Sequence, residues 1–229
     1  MLTCYAILSD SSLIGEYMIK AIIFDLDMCI LNTHTLTGPF FQPVLDALHN
    51  SNLSPELKEK INYQLWTTSL DDVMEMFSVP EDIAERMRDA YRQIEVPDGI
   101  KTFGDEDSIK DLPVKKILVT TGYRKFQESK IEKLGITVLF DEIIIDALDR
   151  RGERKGKTKI FKELLVKNGW IENEVLVVGD NPNSELGSAQ SLGIPTVQTL
   201  RPTIERWDEA DYHISSLSEL VGIVSKLAA

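Results

Sequence analysis

The sequence predicts an α/β fold with three layers, in which helices cover both faces of a mainly parallel sheet, plus an inserted all-helical domain. Short β-branched runs alternate with helical stretches, and acidic or hydroxyl residues stand where several of these runs end. One long interval after the first run contains no clear strand. The 229 residues therefore divide into three parts. An extension of unassigned role covers residues 1–17, the α/β core covers residues 18–32 and 112–229, and the insertion covers residues 33–111.

Six apolar runs are predicted to form the strands of the core. Four of them are short, rich in β-branched residues and closed by small or acidic residues, which is typical of strands buried in a parallel sheet. Two weaker runs and a final helix follow towards the C-terminus. We expect the strands at residues 21–25, 116–120, 142–146, 174–180, 194–199 and 212–215, and the last helix at residues 216–227.

Helical periodicity fills the rest of the chain. Between the core strands, apolar residues recur at spacings of three and four, as in Phe126, Ile131 and Leu134. Ser54 before Pro55, and Ser78 near Pro80, are predicted starts of helices in the insertion. Four helices are expected there, at residues 41–50, 54–66, 70–77 and 80–94.

Composition limits the class of partner. The chain has 25 basic and 37 acidic residues and a formal net charge of −12, so its surface should repel nucleic acid and anionic lipid. No apolar run approaches the roughly 18 residues of a membrane span. The cysteines, Cys4 and Cys29, are too few for a disulfide framework. We therefore expect a cytoplasmic protein, a monomer or homodimer, without nucleic-acid or membrane partners.

Two carboxylates follow the first predicted strand. Asp25 and Asp27 stand where that strand ends, and ligands of open α/β sheets bind at the carboxyl ends of strands. Two acids one residue apart can serve as nucleophile and acid/base group, or can share a cation. They could also do no more than cap the following turn.

A second acidic pair follows the strand at residues 174–180. Asp180 ends that strand, and Glu185 stands five residues later at the expected start of a helix. Oxygen ligands of this kind suit Mg²⁺, which is bound by a few carboxylates. The same residues also fit a plain strand-turn-helix connection, with Ser184 as the N-cap.

Thr120 ends another core strand and is followed by Thr121 and Gly122. A hydroxyl beside backbone N–H groups ahead of a helix can hold a phosphate oxygen. The strongly basic segment of this acidic chain contains Lys155 and Lys157. Either lysine could neutralise a phosphoryl group in transfer, although a solvated loop would have the same composition.

Together these segments resemble the haloacid dehalogenase (HAD) superfamily of phosphohydrolases. IIFDLDMC matches its first motif, with Cys29 where threonine or valine is usual, and ILVTTG matches the second through Thr120. KGKTKIF matches the third, which favours Lys155 over Lys157, and GDNPNSE matches the fourth. The insertion is similar to the helical C1 cap of the phosphoglycolate phosphatase-like branch, whose core is Rossmann-like.

The resemblance implies a magnesium-dependent phosphatase that hydrolyses a small phosphorylated metabolite through an aspartyl phosphate. Asp25 would be the nucleophile, and Asp27 would protonate the leaving alcohol and then activate water. The implied catalytic residues are Asp25, Asp27, Thr120 and Lys155, the substrate-binding residues are Thr120, Thr121, Gly122 and Lys155, and the Mg²⁺ ligands are Asp25, the Asp27 carbonyl, Asp180 and Glu185.

Two other functions share these residues. A sugar phosphomutase of the same family has the same core, and a HAD-like binding or signalling protein could keep the pocket without turnover. Residues 34–41, together with Tyr123 and Arg124, are candidates for the leaving-group pocket. Of these, Phe40 and Phe41 are expected to lie in the core of the cap instead.

Overall fold

The computed structural model describes residues 18–37, 39–65, 68–150 and 152–227. The extension predicted at residues 1–17 lies outside these ranges. The core contains a six-stranded sheet in which every paired strand runs parallel to its neighbour. In spatial order its strands are β5 (Glu142–Ala147), β4 (Lys115–Gly122), β1 (Ala21–Phe24), β6 (Val175–Gly179), β7 (Thr196–Thr199) and β8 (Tyr212–Ile214). All six predicted strands are confirmed.

Helices cover both faces of this sheet, as the sequence predicts. Alternate residues of β1 enter different apolar clusters, Ile22 and Phe24 one cluster and Ala21 and Ile23 the other. This alternation is the two-residue period of a strand buried on both faces. The core helices are α5 (Arg124–Leu134), α6 (Lys157–Asn168), α7 (Gly187–Gln190) and α8 (Leu220–Leu227).

Four helices make up most of the insertion: α1 (Gln42–His49), α2 (Pro55–Gln64), α3 (Leu70–Met76) and α4 (Glu81–Arg92). Ser54 caps α2 as predicted, because its side chain accepts the backbone N–H of Leu57. The prediction that Ser78 starts α4 is wrong. Ser78 has a left-handed φ of 47°, and α4 begins after Pro80.

A short antiparallel pair of strands stands at the base of the insertion. It joins β2 (Leu31–Asn32) to β3 (Lys101–Thr102), one on each side of the four helices. The sequence predicted no strand in this interval, because two residues are too few to show a period of two. The pair brings both ends of the insertion together beside the end of β1.

An aromatic cluster joins the insertion to the core. The ring of Tyr91 on α4 lies 4.1 Å from that of Tyr123, centroid to centroid, and 5.7 Å from that of Phe126 on α5. Phe40 stacks on Phe126 at 5.8 Å, and Phe41 contacts Tyr91 at 5.4 Å. Phe40 therefore contacts the core as well as the cap. Within the described ranges, no helix is both long enough and apolar enough for a membrane crossing.

Candidate active site

The carboxyl ends of three adjacent strands form the site. Strand β1 lies between β4 and β6, and Phe24 is in register with Leu118 and Val178. The next residue, Asp25, donates its backbone N–H to the Val178 carbonyl at 2.9 Å. Thr120 and Asp180 follow on the neighbouring strands, so the topology brings three of the predicted residues to one edge of the sheet.

Three carboxylates converge at this edge. Asp25, Asp180 and Glu185 each offer an oxygen, and these oxygens lie within 4.8 Å of one another. Glu185 is 2% exposed, and its Oε1 accepts the backbone N–H of Asn181 at 2.7 Å. Gly179 gives it room, because a Cβ at that position would lie 2.3 Å from Glu185 Oε1. The turn begins at Asn181, whose side chain accepts a backbone N–H, and not at the predicted cap Ser184.

Lys157 is the lysine that reaches the carboxylates. Its Nζ donates to Asp25 Oδ1 at 2.6 Å and to Glu185 Oε2 at 2.8 Å, and its side chain is 6% exposed. The predicted Lys155 instead pairs with Glu163 at the surface and is 45% exposed. The structure thus corrects the choice of Lys155 over Lys157.

The loop before α6 explains this correction. Asp146, at the end of β5, accepts the backbone N–H groups of Lys155 and Gly156 at 2.9 and 3.0 Å. Gly156 has a φ of 79°, a left-handed conformation that glycine adopts without penalty. The chain turns there, and Lys157, the first residue of α6, points into the site. Spacing to Phe161 alone could not show where this helix begins.

Burial and crowding raise the pKa of two of these acids. The pKa of Asp25 rises to about 7, chiefly through burial, with Lys157 opposing the shift and Glu185 adding to it. The pKa of Asp180 rises to about 8 through burial and through the charges of Glu185 and Asp25. Burial lowers the pKa of Lys157, but Asp25 and Glu185 outweigh it and the net shift is upward. One ammonium group thus faces three carboxylates.

A divalent cation fits this cluster. All three side chains offer carboxylate oxygens, the donors that Mg²⁺ prefers. Burial, together with the neighbouring carboxylates, outweighs the lowering effect of Lys157 on the pKa of Asp25 and of Asp180, so both pKa values stay raised. Asp25, Asp180 and Glu185 are therefore the residues that could hold a metal ion.

Asp27 lies in a different environment from Asp25. Its side chain is 32% exposed, and Lys130 Nζ donates to its Oδ1 at 2.7 Å. Gln127 Nε2 donates to its Oδ2 at 3.0 Å and to Thr120 Oγ1 at 2.6 Å. Sequence reasoning missed Lys130 and Gln127. Their signal was two polar residues, three apart, beside the apolar positions of α5.

The remaining predicted residues of the phosphate site follow Thr120 on β4. Thr121 and Gly122 are half-buried, and the Thr121 carbonyl accepts a hydrogen bond from Gln127 Nε2 at 3.1 Å. A Cβ on Gly122 would lie 2.8 Å from Gln127 Cδ, so a side chain here would displace Gln127. Both residues thus contact Gln127 beside Thr120, and their role in binding substrate stays a prediction.

Cys29 supports the turn that follows the two aspartates. Met28 before it has a left-handed φ of 54°, and Cys29 is fully buried, with Sγ 3.7 Å from the Val178 carbonyl. Burial raises the pKa of the Cys29 thiol. Buried Arg201 donates from Nη2 to the Cys29 carbonyl at 2.8 Å. Cys29 therefore contributes packing and a fixed carbonyl at this turn.

A cavity of about 600 Å³ lies between the insertion and the core, and it is not lined by the site carboxylates or by Lys157. Asp71 and Arg88 line it from α3 and α4, and Leu148 and Arg154 line it from the segment after β5. The Leu148 N–H donates to the Gly122 carbonyl at 3.0 Å, which sets the cavity beside the end of β4. Of the earlier pocket candidates, Tyr123 is buried with its hydroxyl 3.5 Å from Asp71 Oδ2, and His34 is exposed.

Known proteins match the chain over most of its length. Residues 22–199 match the family model of the haloacid dehalogenase-like hydrolases. The chain is 26% identical to a glyceraldehyde 3-phosphate phosphatase of Methanocaldococcus jannaschii, across 92% of this chain and 99% of that protein. It is 27% identical to a ribulose-1,5-bisphosphate 5-phosphatase of Halopiger xanaduensis, across 57% of this chain and 56% of that protein. A solved HAD phosphatase from Thermococcus onnurineus has the same fold, with a TM-score of 0.62, 24% identity and coverage of 90% and 98%.

Proposed function

Because the chain belongs to the haloacid dehalogenase-like hydrolases, we propose that it is a Mg²⁺-dependent phosphatase that hydrolyses a small phosphate monoester through an aspartyl phosphate. The observation that carries the proposal is the separation of Asp25 from Asp27. Asp25 is buried against Lys157 and the carboxylate cluster, whereas Asp27 is a third exposed and contacts α5. Two carboxylates in different environments can perform two different tasks.

Asp25 is the nucleophile in this proposal. Its Oδ attacks the phosphorus atom and forms an O–P bond, while the bond from phosphorus to the ester oxygen breaks. Lys157 and Thr120 hold phosphoryl oxygens beside it, because Lys157 Nζ already contacts Asp25 and Thr120 lies on the neighbouring strand β4, two positions before its end. The product of this step is an alcohol and an aspartyl phosphate on Asp25.

Asp27 moves the protons. Its protonated carboxyl group gives a proton to the ester oxygen as that oxygen leaves, so that the product departs as a neutral alcohol. The resulting carboxylate then accepts a proton from the water that attacks the aspartyl phosphate. Inorganic phosphate is released, and both aspartates return to their starting state.

Asp25, Asp180 and Glu185 would hold the Mg²⁺ ion, with the Asp27 carbonyl as a further ligand. When bound, Mg²⁺ supplies positive charge that offsets the charge on the phosphoryl oxygens. Glu185 is fixed for this task by the Asn181 N–H. A Mg²⁺ ion held by this cluster would allow a chain with a net charge of −12 to bind a small anion.

Measurement of phosphate release tests this proposal. Wild-type enzyme is assayed with Mg²⁺ and with EDTA on phenyl phosphate and on a panel of small sugar phosphates. The panel includes glyceraldehyde 3-phosphate and ribulose 1,5-bisphosphate, the compounds in the names of two relatives. We expect Mg²⁺-dependent release of inorganic phosphate, whereas a phosphomutase would give isomerised product without net release.

Two substitutions test the assigned roles. Asp25→Asn should lower kcat by about 10³-fold or more because the nucleophile is lost, and Asp27→Asn should lower it by about 10²–10⁴-fold. Asp98→Asn is the matched control, since Asp98 is fully exposed and pairs with Lys133 away from the site. Undiminished hydrolysis by Asp25→Asn would exclude the aspartyl phosphate mechanism.

A further inference from the structure

Two polar side chains on one face of α5 are buried at the site without a role in the mechanism above. Gln127 is 1% exposed and Lys130 is 5% exposed, and the apolar residues Phe126 and Ile131 stand next to them in sequence. Burying an amide and an ammonium group is unfavourable unless each finds a partner. Both side chains find their partners among the residues that the proposed reaction uses.

Gln127 contacts both Asp27 and Thr120. Its Nε2 lies 2.6 Å from Thr120 Oγ1, 3.0 Å from Asp27 Oδ2 and 3.1 Å from the Thr121 carbonyl. The Thr121 carbonyl only accepts hydrogen bonds, whichever protonation state Asp27 takes, and this fixes the nitrogen and not the oxygen of the amide at this position. Gln127 Oε1 is left buried and without a partner in the described part of the chain. The contacts of the amide nitrogen thus fix the orientation of the Gln127 side chain, although its oxygen gains no hydrogen bond from the described residues.

The orientation of Gln127 determines what Thr120 can do. An amide N–H that donates to Thr120 Oγ1 uses the hydroxyl oxygen as an acceptor. The amide nitrogen cannot accept a hydrogen bond, so the Thr120 hydroxyl hydrogen is available to a different group. A phosphoryl oxygen beside Asp25 would be such an acceptor, and Gln127 thus leaves Thr120 able to donate towards the substrate.

Lys130 fixes the other oxygen of Asp27. Its Nζ donates to Asp27 Oδ1 at 2.7 Å and lies 4.7 Å from the centre of the Phe126 ring. With Gln127 on Oδ2 and Lys130 on Oδ1, both carboxylate oxygens are bound from a single rigid helix. A carboxylate held at two points cannot rotate freely about its χ2 torsion.

We propose that Gln127 and Lys130 are positioning residues that orient the Asp27 carboxyl group for proton transfer to the leaving oxygen, with Gln127 also orienting the Thr120 hydroxyl. This assignment rests on the proposed phosphatase function. Gly122 leaves the space that this position of Gln127 needs, because a Cβ there would lie 2.8 Å from Gln127 Cδ and displace the amide.

A comparison of two leaving groups tests the assignment. Phenyl phosphate needs a proton on its leaving oxygen, whereas 2,4-dinitrophenyl phosphate releases a stable phenolate that does not. The ratio of kcat/KM for phenyl phosphate to that for the dinitrophenyl ester therefore reports proton delivery up to formation of the aspartyl phosphate. A general loss of folding or of phosphate binding lowers both values and leaves the ratio unchanged.

We expect Lys130→Met and Gln127→Leu each to lower this ratio by about 20-fold or more, a substantial part of what general acid catalysis contributes. Lys130→Arg keeps a donor and should restore most of the ratio. Lys133→Met is the matched control on α5, because Lys133 pairs with exposed Asp98; its ratio should stay within about twofold of wild type.

A double variant provides the internal check. In an Asp27→Asn background, Lys130→Met should change the ratio no further, because the group that it positions is already gone. Equal losses on both esters, or no loss, would overturn the positioning role while the wild-type activity stands. A wild-type enzyme that releases phosphate from neither ester would overturn the phosphatase function itself, and this assignment with it.

Discussion

Replacement of Gly179 by alanine tests how the end of β6 positions the carboxylate cluster. The added Cβ would lie 2.3 Å from Glu185 Oε1 and 2.4 Å from its Cγ, closer than van der Waals contact allows. Gly179 does not have a positive φ, so alanine meets no backbone strain there. Any destabilisation by the substitution must therefore come from displacement of Glu185.

The size of the effect follows from the contacts that Glu185 would lose. It is 2% exposed, it accepts Lys157 Nζ at 2.8 Å, and it accepts the Asn181 N–H at 2.7 Å. Breaking a buried ion pair by removing one partner costs about 3–5 kcal/mol. Since 1 kcal/mol shifts Tm by about 2–4 °C in a chain of this size, Gly179→Ala should lower Tm by roughly 6 °C or more.

Thermal and urea unfolding in EDTA measure the Tm and the free energy of unfolding that this prediction concerns, and a Mg²⁺ titration is run beside them. Gly222→Ala in α8 is the matched control, because its Cβ meets nothing within 4 Å and should stabilise the helix by about 0.5–1 kcal/mol. Gly179→Ala combined with Glu185→Ala removes the clash and should be more stable than Gly179→Ala alone. A free energy of unfolding for Gly179→Ala within about 1 kcal/mol of wild type would refute the displacement argument.

Two further predictions concern charge at the site. In the phosphate-release assay, Lys157→Met should lower kcat by about 100-fold or more, because it removes a donor to the phosphoryl group. The kcat of Lys155→Met should stay within about threefold of wild type. The reverse order would assign Lys155 to the site. The pKa values of Asp25 and Asp180, about 7 and about 8, exceed those of the same groups in the unfolded chain. Without metal, the folded state therefore binds more protons than the unfolded state between about pH 4 and 8. The Tm should fall as pH rises through that range. Mg²⁺ should therefore raise Tm more at pH 8 than at pH 5 in a thermal scan, and an equal rise at both pH values would contradict the charge assignment.

Local pattern was sufficient to predict most of the fold. The β-branched runs locate the six core strands to within a residue or two. The runs of β1, β6 and β7 are buried throughout, as expected of strands covered on both faces. Ser54 with Pro55 marks the start of α2 through local chemistry alone. The pair of β2 with β3 could not be predicted, since two-residue strands exist only through their contacts with each other.

The sequence could predict those site residues whose positions depend on the order of the strands. It could not predict those whose positions depend on the direction of a side chain. Asp25 and Asp180 follow β1 and β6, and Thr120 lies near the end of the adjacent strand β4, so their convergence requires only the order of the strands. The choice between Lys155 and Lys157 depends on where α6 begins, which Asp146 and Gly156 settle through tertiary contacts. The partners of Asp27 depend on the rotation of α5, which no spacing in the sequence specifies.

The ends of β4 and β6 are built by the same steric rule. Each strand closes on a glycine, Gly122 or Gly179, whose missing Cβ is the space filled by a polar side chain from the following segment, Gln127 or Glu185. Gln127 contacts Asp27, the proposed proton donor, and Glu185 contacts Lys157, which faces Asp25, the proposed nucleophile. The two aspartates that flank Leu26 are therefore contacted by side chains from opposite sides of β1. Glycine at both strand ends permits this arrangement, because a Cβ at either position would displace Gln127 or Glu185, although neither glycine has a left-handed backbone.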